Sequence, residues 1–182
     1  MDLSLYRTTE LEQWIYDIYQ DNGILTAADL DIDQIAAMFQ IDMLYYEHQS
    51  FSCNVNQVIF LNKYETEEKQ RDIFFHELCH VLRHAGDQRS MHNLFEQYQE
   101  MEAGWFQMYA AVPFYMVQQL ELPYTQREAI TCIASEFKVS IDFAKKRLHQ
   151  IQRRVMDGMM MQERIEEERR LKQQVIDYFH RI

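Results

Sequence analysis

Apolar residues recur with a helical period along most of the chain. Within residues 9–22 they fall at Leu11, Trp14, Ile15, Ile18 and Tyr19, and Asn22-Gly23 supplies a stop. A shorter helix is expected over residues 31–39, with Ile32, Ile35, Ala36 and Phe39 on one side. The pattern then changes: residues 41–46, 51–53 and 57–61 are short runs of β-formers, the last two separated by the turn residues Asn54-Val55-Asn56. They predict a small, mainly antiparallel sheet. Helical spacing returns over residues 65–84, where charged first turns give way to Ile73, Phe74, Leu78, Val81 and Leu82 on a buried side, and Gly86 offers a carboxyl-terminal cap.

Residues 93–112 form a helix with two apolar stripes. Leu94, Tyr98, Met101, Trp105, Met108 and Val112 make one, and Ala103, Phe106 and Ala110 the other, so this helix is expected to be buried on two sides. Further on, Ala129, Ile130, Ile133, Ala134 and Phe137 share a face, and after Lys138-Val139-Ser140 a second helix shows Ala144, Leu148, Ile151 and Val155. These two helices read as a helix-turn-helix-like unit, in which Lys145, Lys146 and Arg147 would have to enter a groove for DNA to be read. From Gly158 a highly charged helix follows with a thin apolar stripe of Ile165, Leu171, Val175 and Phe179. The fold class is therefore α+β and mainly α, divided into residues 1–122, 123–156 and 157–182.

Composition narrows the class. At 182 residues, 47% hydrophobic and 26% charged, the chain can bury a real core. No apolar run approaches the ~18 residues of a membrane span, and the amino terminus lacks a signal-peptide pattern, so a cytoplasmic protein with no membrane partner is expected. Cys53, Cys79 and Cys132 are few, odd in number and far apart, and are read as reduced. The net charge of −11 is uneven: residues 1–122 carry −14, residues 123–154 carry +4 and the remainder −1. That acidity speaks against nucleic acid as a ligand and suits a basic protein substrate.

One stretch carries chemistry. His76 and His80 stand four apart, so a helix places both imidazoles on one face, with Glu77 beside them. Two neutral imidazoles can hold Zn²⁺ and leave coordination sites open, and an adjacent carboxylate can take a proton from water activated by the metal. Composition alone yields roughly 0.025 such His-Glu-x-x-His matches in a chain with these 7 histidines, so context has to support it.

A peptidase centre also needs a third protein ligand. Cys79 is rotated ~100° from His80. The Cα of His84 lies about 12 Å along a straight helix from that of His76, too far for one ion to be reached by all three rungs. His84 is therefore read as a residue behind the metal or at the helix end. On the next helix Glu96, Glu100 and Glu102 are candidates, since a helix buried on two sides rarely carries carboxylates without partners. Glu100 is preferred to Glu102, because Ala103 and Gly104 one turn on would let this helix approach the histidines closely, whereas Trp105 and Phe106 crowd Glu102. Tyr64, His92 and Tyr109 are open candidates for stabilising an oxyanion, and the sheet either holds an extended substrate along its edge by strand addition or only backs the active helix.

The residues 76–84, His-Glu-Leu-Cys-His-Val-Leu-Arg-His, followed by Glu100-Met101-Glu102-Ala103-Gly104-Trp105-Phe106 and then Pro113, resemble the ImmA/IrrE family of metallopeptidases. Cys79 stands where that family usually has Gly, and Gln107 where Ala usually follows the Phe. The resemblance extends from about residue 10 to residue 155. It implies a zincin-like core, with zinc on His76, His80 and Glu100 and Glu77 as catalytic base. It also implies an anti-repressor that cleaves or inactivates a helix-turn-helix repressor of a prophage or mobile element, or triggers a stress response. Two other readings stay open: sequestration of a repressor without proteolysis, and direct DNA binding through residues 126–155.

Overall fold

Helix ends in this chain are set by local hydrogen bonds. The computed structural model describes residues 3–84 and 93–180. Helix α1, Glu10–Asp21, opens with a reciprocal cap in which the Glu12 N–H donates to the Thr9 hydroxyl at 3.1 Å and the Thr9 N–H donates to the Glu12 carboxylate at 3.0 Å. It closes at Asn22 and Gly23, whose φ of 74° is a left-handed conformation that glycine adopts without strain. Asp31 caps α2, Ile32–Met38, by accepting from the Gln34 N–H. Three strands follow: β1, Asp42–Tyr46; β2, Phe51–Cys53; and β3, Val58–Asn62.

Helix α3, Glu67–Arg83, carries the His-Glu-x-x-His residues, and α4 spans Asn93–Ala111. The single-turn α5, Phe114–Val117, leads to α6, Gln126–Phe137, and to the long α7, Ile141–Phe179. Short 3₁₀ turns occupy Leu3–Leu5 and Ala27–Asp29. The fold is mainly helical with one small sheet, as the pattern implies. Gly86 and His92 lie outside the described residues.

The sheet departs from the antiparallel expectation in one pairing. Its order is β1-β3-β2, with β2 antiparallel to β3 but β1 parallel to it. Residues 47–57 carry the chain back through β2, so that β3 enters between its predecessors and runs in the direction of β1. Being central, β3 is the buried strand: Ile59 and Leu61 are fully enclosed, whereas Leu44, Tyr45 and Phe51 of the flanking strands are exposed.

Helix α3 lies between β3 and β2 and, on another side, α4. Phe74, Phe75, Leu78 and Cys79 are enclosed at its inner faces. On α4 Ala103 is fully buried, whereas Gly104 makes no close approach, since an added Cβ there would meet nothing within 4 Å.

The chain forms two compact units, Thr9–Arg147 and a smaller one built from residues up to Thr8 with those from Leu148 onward. Within the larger unit Arg147, fully buried, donates to Glu12 Oε1 at 3.1 Å and to the Val112 carbonyl at 2.9 Å. Within the smaller unit α7 passes through Gly158 without a break. The glycine there serves a close approach, since a Cβ would collide with the Leu5 carbonyl oxygen.

Candidate metal centre

Helix α3 presents His76 and His80 one turn apart, with ring centroids 4.9 Å from one another and Nε2 atoms separated by 3.1 Å. Glu100 of α4 reaches across to both. Its Oε2 lies 3.2 Å from His76 Nε2 and its Oε1 3.2 Å from His80 Nε2. Donor atoms of these three residues fall within 4.8 Å of one another. A tetrahedral ion with bonds of ~2.0–2.1 Å holds its ligand atoms about 3.3–3.4 Å apart, so the two-nitrogen, one-carboxylate set has the dimensions and the chemistry of a zinc site. Zinc is the cofactor expected from the sequence, and the residues present fit it.

The electrostatics suit ligation. Burial, and next the neighbouring His76, push the His80 imidazole down to about 4, so it is neutral near pH 7 and its lone pair is available. Glu77, half-buried beside His76, accepts a 2.6 Å hydrogen bond from Ser52 Oγ of β2 through its Oε2. Burial raises its carboxyl above the usual carboxylate range, against the opposing effects of Ser52 and His76. A carboxylate moved toward neutrality in this way is matched to taking up and returning a proton.

The remaining candidates fall elsewhere. Glu102 is turned elsewhere: its Oε1 accepts from Arg83 Nε at 2.7 Å and its Oε2 lies 3.3 Å from His84 Nε2. Burial acts to raise its carboxyl, but the hydrogen bonds and charges of Arg83 and His84 outweigh that and hold it low. His84 caps α3; its carbonyl accepts from Asn54 Nδ2 at 2.7 Å and its Nδ1 stands 2.8 Å from His80 Nδ1. Burial lowers the His84 imidazole as well. Cys79 is enclosed, with its thiol pushed up to about 12 by burial, and is inert; all three cysteines are unpaired. Glu96 is exposed, Tyr64 is exposed and hydrogen-bonds Glu47, and Tyr109 is buried against Trp105 and Arg147.

Two features of the site escape sequence reasoning. Ser52 lies twenty-five positions from Glu77 and meets it only because β2 packs on α3. A cleft of about 740 Å³ also adjoins Glu100, walled by Trp105, Met108 and Phe143 and edged by Lys69 and Lys146. Trp105 and Met108 of that wall read in sequence as core stripe. Nothing in their spacing separates a cleft from a core.

The helix-turn-helix-like segment is built as anticipated locally, with α6 ending at Lys138 in a left-handed conformation. Of its three cations, however, Arg147 is sequestered with Glu12, leaving Lys145 and Lys146 exposed. The turn between the helices is tied to the site helix, since Ser140 Oγ donates to Asp72 Oδ2 at 2.8 Å.

Comparison with known proteins points to a family of metallopeptidase type. A family model described as the IrrE N-terminal-like domain, of the M78 peptidases, matches residues 28–149. The phage-like element PBSX protein XkdA of Bacillus subtilis is 35% identical over 159 residues, which cover 86% of this chain and 80% of that protein. The uncharacterized protein YqaB of the same organism is 30% identical over 159 residues, covering 86% of this chain and 92% of its own length. Among solved structures, a Mycobacterium tuberculosis transcriptional regulator is similar in fold, with a TM-score of 0.55 and 12% identity over 75% of this chain and 46% of that one. No helix among the described residues is long and apolar enough to cross a membrane.

Proposed function

Because the chain belongs to the IrrE N-terminal-like family of the M78 peptidases, we propose that it is a zinc-dependent endopeptidase acting as an anti-repressor on a helix-turn-helix repressor of a mobile element. The observation that carries the reading is the convergence of His76, His80 and Glu100 on one point with Glu77 beside them. A zinc ion held by these three residues would act as a Lewis acid, acidifying water and polarising the scissile carbonyl.

Glu77 is the general base. Ser52 occupies its Oε2, which leaves Oε1 to take the proton of the attacking water and return it to the departing amine. β2 is an edge strand of the sheet and holds Ser52 beside Glu77, so an extended substrate pairing with that edge would run past the base. The cleft beside Glu100 then receives substrate side chains against Trp105 and Met108.

The repressor substrate is supported by charge and by kinship. Residues 1–122 carry −14, which complements a basic DNA-binding protein, and XkdA belongs to a phage-like element. The enzyme works in the cytoplasm, where such a repressor resides.

The test is to incubate the zinc-loaded protein with a helix-turn-helix repressor of a mobile element. Wild type is expected to yield two discrete fragments, while Glu77→Gln yields none; a chelator stops the reaction and added zinc restores it. If wild type and Glu77→Gln release the repressor from DNA equally and without fragments, the protein acts by sequestration and the peptidase reading is wrong.

A further inference from the structure

A histidine binds a metal through one ring nitrogen, so the proton must sit on the other, and something has to hold it there. For His80 the nitrogen directed at Glu100 and His76 is Nε2, at 3.2 and 3.1 Å. Its Nδ1 faces a third imidazole, with His84 Nδ1 2.8 Å away and the two ring centroids 4.9 Å apart. Two imidazole nitrogens at that distance require one donor and one acceptor, and His84 Nε2 decides which is which. It lies 3.3 Å from Glu102 Oε2, an acceptor, while the other oxygen of that carboxylate takes the Arg83 Nε–H at 2.7 Å.

From this arrangement we infer that Glu102 and His84 are positioning residues that fix the tautomer of His80 for metal binding. The assignment follows atom by atom. Glu102, paired with Arg83, accepts the Nε2–H of His84; His84 Nδ1 is then a bare lone pair and accepts the Nδ1–H of His80; His80 Nε2 is left unprotonated toward the ion. The surroundings favour permanence: the His84 side chain is 6% exposed, Asn54 Nδ2 ties down its carbonyl at 2.7 Å, and Arg83 lies 5.2 Å over the ring of Trp14. The common arrangement places a carboxylate or carbonyl directly behind the ligand histidine. Here the four-residue repeat of His76, His80 and His84 inserts an imidazole, and the carboxylate follows one step further back.

This inference rests on the metal-centre reading, and its test separates the two. Long-range ¹H–¹⁵N correlation spectra of the ¹⁵N-histidine-labelled wild-type protein, metal-free and zinc-loaded, report which nitrogen of each ring carries the proton. The expected result is His80 protonated at Nδ1 and His84 at Nε2 in both forms. Chelator competition for zinc is then compared among wild type, His84→Ala, Glu102→Ala and Glu102→Gln. Affinity is expected to fall about 10- to 100-fold in the two alanine variants and by less in the isosteric Gln variant, which can still accept from His84.

A wild-type protein that binds no zinc overturns the metal-centre reading itself. Zinc binding with unchanged affinity in His84→Ala and Glu102→Ala overturns the relay alone, as does a wild-type spectrum with the His84 proton on Nδ1. The spectrum needs no variant, so a substitution that fails to fold leaves the inference exposed to refutation.

Discussion

At the scale of single residues, the chemistry divides into what is close in sequence and what is not. His76, Glu77 and His80 share one helix, and the four-residue spacing of the two histidines dictates their common face with Glu77 beside them, so this juxtaposition is legible in the sequence. The small residues Ala103 and Gly104 favour Glu100 over Glu102 in the sequence. In the structure Glu102 has instead its own partners, Arg83 and His84, and only Glu100 approaches His76 and His80. Ser52 was not legible, because a serine in a three-residue strand gives no sign that folding will bring it to Glu77. The displaced titration of His80 leads to a pH prediction for the metal-free chain. The native imidazole, faced by His76, His84 and Glu100, stays neutral down to about 4, whereas the unfolded one protonates near 6.5. Between those values the unfolded state binds more protons, so His80 contributes a loss of stability as pH falls through that window. Urea unfolding of the metal-free protein at pH 7.5 and pH 5 is expected to show a larger drop for wild type than for His80→Gln; an equal drop removes the assignment.

At the scale of elements, local rules located the helices and strands well and said little about direction. Caps at Thr9, Asp31, Thr66 and Thr125 stand immediately before the first residues of α1, α2, α3 and α6, and each accepts a backbone N–H of the first turn. The parallel pairing of β1 with β3 was not legible, since a period of two marks a strand without recording which neighbour it takes or in which sense. Glycines misled in both directions. Gly158 was expected at the start of a separate helix but lies inside α7, where the Leu5 carbonyl leaves no space for a Cβ. Gly104 was expected at a close helix contact and sits in open space. Gly104→Ala therefore removes a flexible residue from an unobstructed helix position and is expected to stabilise the fold by about 0.5–1 kcal/mol, measured as a shift in the urea midpoint at unchanged slope. A destabilised variant would mean that Ala at this position meets a neighbour.

At the scale of the whole molecule, a charge reading made from composition needed the fold to be interpreted. The local excess of basic residues over 123–154 suggested a possible DNA-reading helix, yet Arg147 is spent inside the larger unit on Glu12 and the Val112 carbonyl, more than a hundred positions away in the first case. Breaking such a buried pair leaves an uncompensated charge, so its role is architectural. The chain is strongly acidic, net −11, and brings donor atoms of His76, His80 and Glu100 within 4.8 Å of one another. The central claim is that one zinc ion occupies that set with Glu77 beside it. Anomalous diffraction at the zinc absorption edge, from crystals of the zinc-loaded protein, tests it most directly. A single strong peak bonded to His76 Nε2, His80 Nε2 and the Glu100 carboxylate is expected; a peak on Glu102 or His84, or none at this position, rules the zinc centre out.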